Sequence, residues 1–328
     1  MNIQQVNFNN TSFINVTNPQ ETEMKHLHQE YEFDLLHLED YLKKTQISQI
    51  ETFEKYSLII LDIPILQSPP DIKEDVEKSF LLPLPGLTQN EKKKRIITTQ
   101  INFFIGKDYL VVLHEGNLPT LNDLFIECQK TLKNREEFLG KGPIFLLYRI
   151  IDLLVDSCFP ILNDTASIID KIDKDLEYTP TDTTIENISL TRRNIVVMQT
   201  LIKPLYPLFR GVEEGKYQEL YGYMKPYWAN IVDHLQKISE RLEDSRELIE
   251  GIAQSNESFL TARNNELVKF LTVITSISFP FIIVNNLYSM NVIGLPFSQN
   301  PNIVWILFGV IALGSIIILF YFKHRHWI

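Results

Sequence analysis

The C-terminal part of the chain contains two apolar stretches, FLTVITSISFPFIIVNNL at residues 270–287 and IVWILFGVIALGSIIILFYF at residues 303–322. No Asp, Glu, Lys or Arg occurs anywhere between residues 270 and 322. Each stretch is close to the roughly 20 residues that a helix needs to cross about 30 Å of hydrocarbon. A pair of buried core helices is the alternative, but it does not explain two charge-free stretches in succession. The pattern therefore predicts two transmembrane helices.

The residues that flank these stretches predict how the chain crosses the membrane. Lys269 precedes the first stretch, and Lys323 and Arg325 follow the second. Because basic residues are concentrated on the cytoplasmic side of membrane proteins, both flanks are expected in the cytoplasm. Residues 288–302 then form a loop outside the cell, and residues 323–328 form a basic cytoplasmic tail. We therefore expect a multi-pass protein of the cell membrane with both termini in the cytoplasm.

The rest of the chain is acidic. Residues 1–268 contain 41 acidic and 28 basic residues, a net charge of −13. Such a surface attracts cations and repels anions, which argues against nucleic acid as a partner. Two cysteines exclude a disulfide scaffold or a multi-cysteine metal module. The sequence contains no phosphate-binding glycine loop, no HExxH and no nucleophile elbow, so it does not predict an enzyme.

Strand and helix patterns divide the acidic body into two parts. Runs typical of strands occupy residues 56–63, 96–105 and 109–114, and the last two are joined by a hairpin turn at residues 106–108. Helical periodicity follows at residues 119–132 and 143–159. We therefore expect an α+β fold with an α/β/α sheet domain. Its predicted extent is residues 1–160, and antiparallel helices broken near Pro180 follow it at residues 161–225.

A very long helix is predicted to connect the body to the membrane. It begins near Pro226, and Ile231, Leu235, Ile238 and Leu242 recur at steps of three and four residues. No strong breaker separates this segment from the first apolar stretch. A helix over residues 226–287 would have about 60 residues and a length of roughly 90 Å.

Polar residues in the first apolar stretch form a stripe. The stripe is polar at both ends and has a belt of Phe279 and Ile282 between them. Several copies of such a helix around an axis could enclose a narrow path with a hydrophobic constriction. The same stripe could instead stabilise packing between helices. Its members, spaced by three or four residues, are Asn265, Val268, Thr272, Thr275, Phe279, Ile282, Asn286 and Ser289.

Several short motifs occur in a fixed order along the chain. They are FLLYRIID at residues 145–152, YWANIVDH at 227–234, NELVKFLT at 265–272, Phe279-Pro280, YSMN at 288–291 and Leu295-Pro296. Together with the basic ending they resemble the CorA family of divalent-cation channels. The resemblance covers most of the chain and is weakest over residues 1–50.

The resemblance implies a homopentameric funnel that conducts divalent cations passively. Mg²⁺ would be the preferred ion, with Co²⁺, Ni²⁺ or Zn²⁺ as alternatives, and no other cofactor is implied. The first span of each copy would line the path. The residues implied in the outer mouth are Tyr288, Ser289, Met290 and Asn291. The implied gate consists of Val268, Leu271, Phe279 and Ile282, with Asn265 at the inner end and Thr272, Thr275 and Asn286 also lining the path.

Three departures from the family pattern affect these expectations. The loop between the two spans has no acidic residue, whereas the family often has Glu there, so capture of the cation is expected to be weaker. Ser289 replaces the glycine of the family's outer-mouth motif, so the shape of the mouth and its selectivity are open. Asn230 stands where the family commonly has an aspartate of a regulatory cation site, and Asp233 lies one turn further. Inhibition by cytoplasmic Mg²⁺ is therefore expected to be weak. Two other functions stay open: a non-conducting membrane scaffold or regulator on the same frame, and a Zn²⁺-type transporter of the ZntB kind.

Overall fold

The computed structural model describes residues 2–43, 47–67, 95–178, 182–290, 301–325 and 327. The chain divides into two compact units, Met1–Ile252 and Ala253–Ile328. The strands are β1 (Ile3–Phe8), β2 (Thr11–Thr17), β3 (Gln49–Thr52), β4 (Ser57–Gln67), β5 (Arg95–Ile105) and β6 (Tyr109–His114). The helices are α1 (Glu21–Tyr31), α2 (Leu35–Lys43), α3 (Pro119–Lys130), α4 (Leu132–Leu139), α5 (Pro143–Asp156), α6 (Cys158–Tyr178), α7 (Asp182–Ile202), α8 (Leu205–Glu213), α9 (Lys225–Ser289) and α10 (Pro301–His324).

The first unit is built on one mixed sheet with the strand order β1-β2-β6-β5-β4-β3. Strands β2 and β6 pair in parallel, and the other neighbours pair antiparallel. The predicted hairpin at residues 106–108 is confirmed, because β5 and β6 are antiparallel partners on either side of it. The sequence analysis missed β1 and β2. These two strands contain many polar residues, so the sequence did not show a clear strand pattern. Four of their apolar side chains are nevertheless almost fully buried: Val6, Phe13, Ile14 and Val16.

One face of the sheet is covered by α1 and α2. Phe33, in the connection between these two helices, stacks on Phe104 of β5 with ring centroids 4.4 Å apart. Each buried aromatic ring of this size removes roughly 150–250 Å² from water, so this layer contributes much of the hydrophobic stabilisation. The apolar side chains that join it include Ile14, Val16, Met24, Leu27, Leu38, Tyr41, Leu58, Ile60, Val111 and Leu113.

The opposite face of the sheet is covered by helices that follow β6. Phe125 of α3 packs edge-on against Phe13 of β2 with ring centroids 5.1 Å apart. Asn194 of α7 accepts a hydrogen bond from the backbone N–H of Ile96 at 3.2 Å. The predicted helices at 119–132 and 143–159 end slightly earlier, because Thr131 caps α4 and Ser157 separates α5 from α6. The predicted break at Pro180 lies outside the described residues.

The very long helix expected from the sequence is present as α9, which has 65 residues and a length of about 98 Å at 1.5 Å per residue. Near its start, Trp228 is fully buried and its Nε1 donates a hydrogen bond to the Leu220 carbonyl at 2.7 Å. The residues that gave the three- and four-residue spacing are all buried in the first unit: Ile231, Leu235, Ile238, Leu242, Ile249 and Ile252.

The second unit contains the C-terminal part of α9 and α10. Both helices have a segment long and apolar enough to cross a membrane. Phe281 of α9 stacks on Phe308 of α10 at 6.2 Å between ring centroids. Among the described residues of 270–287 and 303–322, Val273 and Ser315 are buried, at 7% and 6% exposure. They and the aromatic pair mark the seam where the two helices pack.

Candidate functional site

Five of the eight predicted path-lining residues lie on the face of α9 that points away from this seam. At about 100° per residue, Leu271, Thr275 and Ile282 lie within about 20° of the point opposite Val273. Val268 and Asn286 lie within about 40° of the same point. Phe279 lies further round, and Asn265 and Thr272 lie toward the sides of the helix. Helix α10 therefore does not cover the centre of the stripe.

Large apolar side chains on this face are open to the surroundings in a single copy of the chain. Val268, Leu271 and Phe279 are 61–62% exposed, and Ile282 is 52% exposed. Lipid could cover them, but the polar Thr275 and Asn286 share the face and are also exposed. Polar side chains in a membrane usually face other helices or water. The composition of the face therefore suits contact with further copies or with an aqueous path.

The hydroxyl groups on α9 are oriented by the helix backbone. Thr272 donates to the Val268 carbonyl at 2.7 Å, and Thr275 donates to the Leu271 carbonyl at 2.5 Å. Because the hydroxyl hydrogens are used within the helix, the oxygen lone pairs remain as acceptors. Such oxygens can accept hydrogen bonds from the water shell of a cation.

The predicted outer-mouth residues lie at the end of α9. Tyr288 and Ser289 are its last two residues, and Ser289 donates its hydroxyl to the Asn285 carbonyl at 2.7 Å. Met290 follows the helix and is 56% exposed. Asn291 lies outside the described residues.

A second group of polar residues lies between α5 and α9 within the first unit. Asp152 and Asp156 are one turn apart on α5, and Asn230 and His234 are one turn apart on α9. The Asn230 amide donates to Asp152 Oδ1 at 3.0 Å. His234 Nδ1 lies 3.0 Å from Asp156 Oδ1, although it is not aligned for a hydrogen bond. Each turn of one helix thus faces a turn of the other.

The chemistry of this group suits a divalent cation. Ligand atoms of Asp152, Asp156 and His234 lie within 4.8 Å of one another. Burial raises the pKa of the Asp152 carboxyl, and the charge of Asp156 raises it further, while Arg149 and His234 oppose the rise. A bound cation would offset the repulsion between the two carboxylates. Two carboxylates and an imidazole fit a borderline ion such as Co²⁺ or Zn²⁺ as well as Mg²⁺.

The structure brings only one of the two predicted regulatory residues into this group. Asn230 contacts Asp152, whereas Asp233 is exposed and lies outside the cluster. Sequence reasoning did not assign Asp152, Asp156 or His234 to a site. The available signal was the four-residue spacing from Asp152 to Asp156 on α5 and from Asn230 to His234 on α9. Nothing local in the sequence indicates that these two helices meet, because Asp152 and Asn230 are 78 residues apart.

Comparisons with known proteins found one family model and several metal-ion transport proteins. The family model described as CorA-like Mg²⁺ transporter protein matches residues 68–324. The chain is 24% identical over 288 residues to the cobalt/magnesium transport protein CorA of Thermotoga maritima, covering 85% of this chain and 78% of that protein. It is 21% identical over 233 residues to the divalent cation transporter CmaX of Pseudomonas aeruginosa, covering 70% of this chain and 68% of that protein. The complete structure of the CorA magnesium transporter from Methanocaldococcus jannaschii superposes with a TM-score of 0.73 at 18% identity, covering 98% of this chain and 94% of that one.

Proposed function

Because the chain belongs to the family of CorA-like Mg²⁺ transporter proteins, we propose that it is a passive channel for divalent cations, with Mg²⁺ as its main ion. The family consists of transporters, not enzymes. The proposed location is the cell membrane, with both termini in the cytoplasm and residues 288–302 outside. The inside-negative potential would drive entry, at about 4.6 kcal/mol per 100 mV for a doubly charged ion.

The path would lie between several copies of α9, as in a homopentamer. The observation that carries this proposal is the exposed stripe opposite the α10 seam. One helix cannot enclose a path, but copies that turn this face toward a common axis would cover its apolar residues. Val268, Leu271, Phe279 and Ile282 would then form hydrophobic rings that close the path by dewetting.

The polar positions would serve a hydrated ion. Mg²⁺ gives up its water reluctantly, so a path that binds its water shell suits it better than a site that strips it. The oriented oxygens of Thr272 and Thr275 would accept hydrogen bonds from that shell. Asn265 and Asn286 would do the same near the two ends. At the outer mouth, Tyr288, Ser289, Met290 and Asn291 would meet the ion first.

The test of the path uses cysteine substitutions in proteoliposomes. Ile282→Cys and Asn286→Cys place a thiol on the proposed path, and Val310→Cys places one on the 65% exposed surface of α10. Native Cys128 and Cys158 are buried and should not react. A charged thiol reagent added outside should block uptake in the two α9 variants and leave Val310→Cys active. Equal block, or block of Val310→Cys alone, would contradict the assignment of the path to α9.

The outer mouth is tested with Asn291→Ala. We expect this change to abolish uptake of Mg²⁺ while the oligomer still forms, with Asn285→Ala as a matched amide control that keeps uptake. Unchanged uptake in Asn291→Ala would remove the mouth assignment. If the unmodified protein conducts none of Mg²⁺, Co²⁺, Ni²⁺ and Zn²⁺, the scaffold function replaces the channel.

We also propose that the group around Asp152, Asp156 and His234, with Asn230, is where a cytoplasmic cation regulates the channel. An amide at position 230 is a poorer ligand for Mg²⁺ than a carboxylate, while the imidazole favours a borderline ion. Internal Mg²⁺ should therefore inhibit weakly. Strong block at low-millimolar internal Mg²⁺ would count against this proposal.

A further inference from the structure

A cavity of about 390 Å³ lies in the first unit, where the turn between β5 and β6, the start of α5 and the segment before α9 meet. Its volume is within the range for small-molecule sites, about 300–1,000 Å³. Residues 54–57, at the start of β4, form another part of the wall. Five charged side chains line the cavity: Glu54, Lys55, Lys107, Lys141 and Glu219.

The lining has the opposite charge balance to the rest of the body. Residues 1–268 contain 41 acidic and 28 basic residues, whereas the cavity is lined by three lysines and two glutamates. A concave wall with an excess of positive charge concentrates anions. The charge balance therefore favours an anionic ligand.

Three of these five charges are engaged within the protein. Lys55 forms an ion pair with Glu32, and the charge of Glu54 also acts on it. Glu219 accepts a hydrogen bond from the Ser57 hydroxyl at 2.5 Å, and Ser57 is 1% exposed. This bond holds the segment before α9 against the start of β4. These groups are therefore parts of the wall.

The other two lysines have no acidic partner among the described residues. Lys107 lies in the turn between β5 and β6, Lys141 lies just before α5, and both side chains are exposed. Neither forms an ion pair with a described Asp or Glu. Because they reach one cavity from different elements, a ligand with more than one negatively charged oxygen could bind both.

Lys141 lies where a helix favours negative charge. Its ammonium group lies 4.5 Å from the ring centre of Phe145, in the first turn of α5. That turn contains no acidic residue, and Gly142 at the N-cap position has no side chain that could accept a hydrogen bond. Since the amino end of a helix carries partial positive charge, the ammonium group and the helix repel each other. A bound anion would offset this repulsion.

The start of α5 adds hydrogen-bond donors to the two ammonium groups. The backbone N–H groups of Ile144 and Phe145 have no acceptor among the described residues. Gly142 has φ +94°, and a Cβ at this position would meet no atom within 4 Å. A ligand could therefore approach this end of the helix closely, while the lysines set the charge of that ligand.

A phosphate ester fits this set of groups better than a carboxylate does. A phosphate monoester carries a charge of about −1.5 to −2 near pH 7 and has three strong acceptor oxygens. It can therefore accept hydrogen bonds from two ammonium groups and from the helix amides together, whereas a carboxylate has one charge and two oxygens. Ile105, Pro143 and Leu220 give the wall an apolar part that suits a short carbon chain.

We propose that this cavity binds a small phosphate monoester, held by the Lys107 and Lys141 ammonium groups at the amino end of α5. None of its described lining residues belongs to the group around Asp152, Asp156 and His234. The proposal does not depend on the proposed channel function, because binding is measured without transport.

The test is calorimetric titration of the full-length protein in detergent with glycerol 3-phosphate, in a buffer without divalent cations or inorganic phosphate. We expect saturable binding that weakens at least tenfold in Lys107→Gln and in Lys141→Gln. Both side chains are exposed, so the unfolding temperature of these variants should not fall. Unchanged binding in either variant, or the absence of saturable binding to the parent protein, would overturn the proposal.

Two controls separate this site from a general attraction between lysines and anions. Lys133→Gln removes an exposed lysine from the first turn of α4, whose amino end is capped by the Thr131 hydroxyl, and it should bind glycerol 3-phosphate as the parent protein does. Glycerate, which has a carboxylate in place of the phosphate ester, should bind to the parent protein at least tenfold more weakly. Equal weakening in Lys133→Gln would mean a general surface effect, and equal affinity for glycerate would contradict the assignment to phosphate. Either result would overturn the proposal.

Discussion

Acid should destabilise the protein through one buried histidine. His114, at the end of β6, is fully buried. Its Nδ1 accepts a hydrogen bond from the Gly116 backbone N–H at 3.0 Å, so its Nε2 carries the proton and donates to Asn15 Oδ1 at 2.9 Å. The bond from Gly116 requires the neutral ring, because a protonated Nδ1 cannot accept a hydrogen bond. Burial lowers the pKa of His114 to about 4.

The size of the effect follows from this shift. The pKa of an unfolded histidine is about 6.5, so between pH 6.5 and pH 4 the unfolded chain binds a proton that the folded chain does not. The stability that the neutral His114 ring contributes is fully present above pH 6.5 and is lost as the pH falls toward 4. The loss from this group is about 3 kcal/mol, from about 1.4 kcal/mol for each unit of pKa.

The perturbation that tests this account is His114→Gln, measured by thermal unfolding of the full-length protein in detergent from pH 7.5 to pH 4. The variant should be less stable at pH 7.5, because the Gly116 N–H loses its acceptor. Between pH 7.5 and pH 4, the free energy of unfolding of the variant should fall by about 3 kcal/mol less than that of the parent protein, since the variant lacks the group that titrates. Identical slopes in His114→Gln and the parent would refute the reasoning.

Four further outcomes are expected. Thr275→Val removes an acceptor from the proposed path without changing the shape of the side chain, and it should slow Mg²⁺ uptake several-fold in proteoliposomes; faster or equal uptake would contradict the role of this hydroxyl. Asp152→Asn should weaken Co²⁺ binding at least tenfold by calorimetry, and an unaltered affinity would remove Asp152 from the cation site. Trp228→Phe loses the hydrogen bond to Leu220 and leaves a small cavity, so unfolding should become easier by about 2–4 kcal/mol; a change below about 0.5 kcal/mol would show that the indole is not anchoring α9. Gly142→Ala should destabilise the start of α5 by about 1 kcal/mol or more, because Gly142 has φ +94° and a side chain there is strained; equal stability of variant and parent in thermal unfolding would show that the turn adapts.

Local patterns in the sequence were enough to predict the two apolar spans and the long helix α9. The charge-free stretches at 270–287 and 303–322 indicated two spans, because a lipid environment selects composition and length directly. The three- and four-residue spacing from Ile231 to Ile252 indicated one continuous helix, because helical periodicity depends only on neighbouring turns. The antiparallel hairpin of β5 and β6 was also readable, since its two strands are separated by three residues.

The pairings between distant segments could be seen only in the folded chain. Strand β2 pairs in parallel with β6, which lies almost a hundred residues later, and its polar residues gave little sign of a strand buried on both sides. The contact of Asn230 with Asp152 depends on which faces of α5 and α9 meet. Composition and periodicity describe what each segment does by itself. Which charged and polar side chains end up together is decided by tertiary packing, because burial joins residues that the sequence keeps far apart.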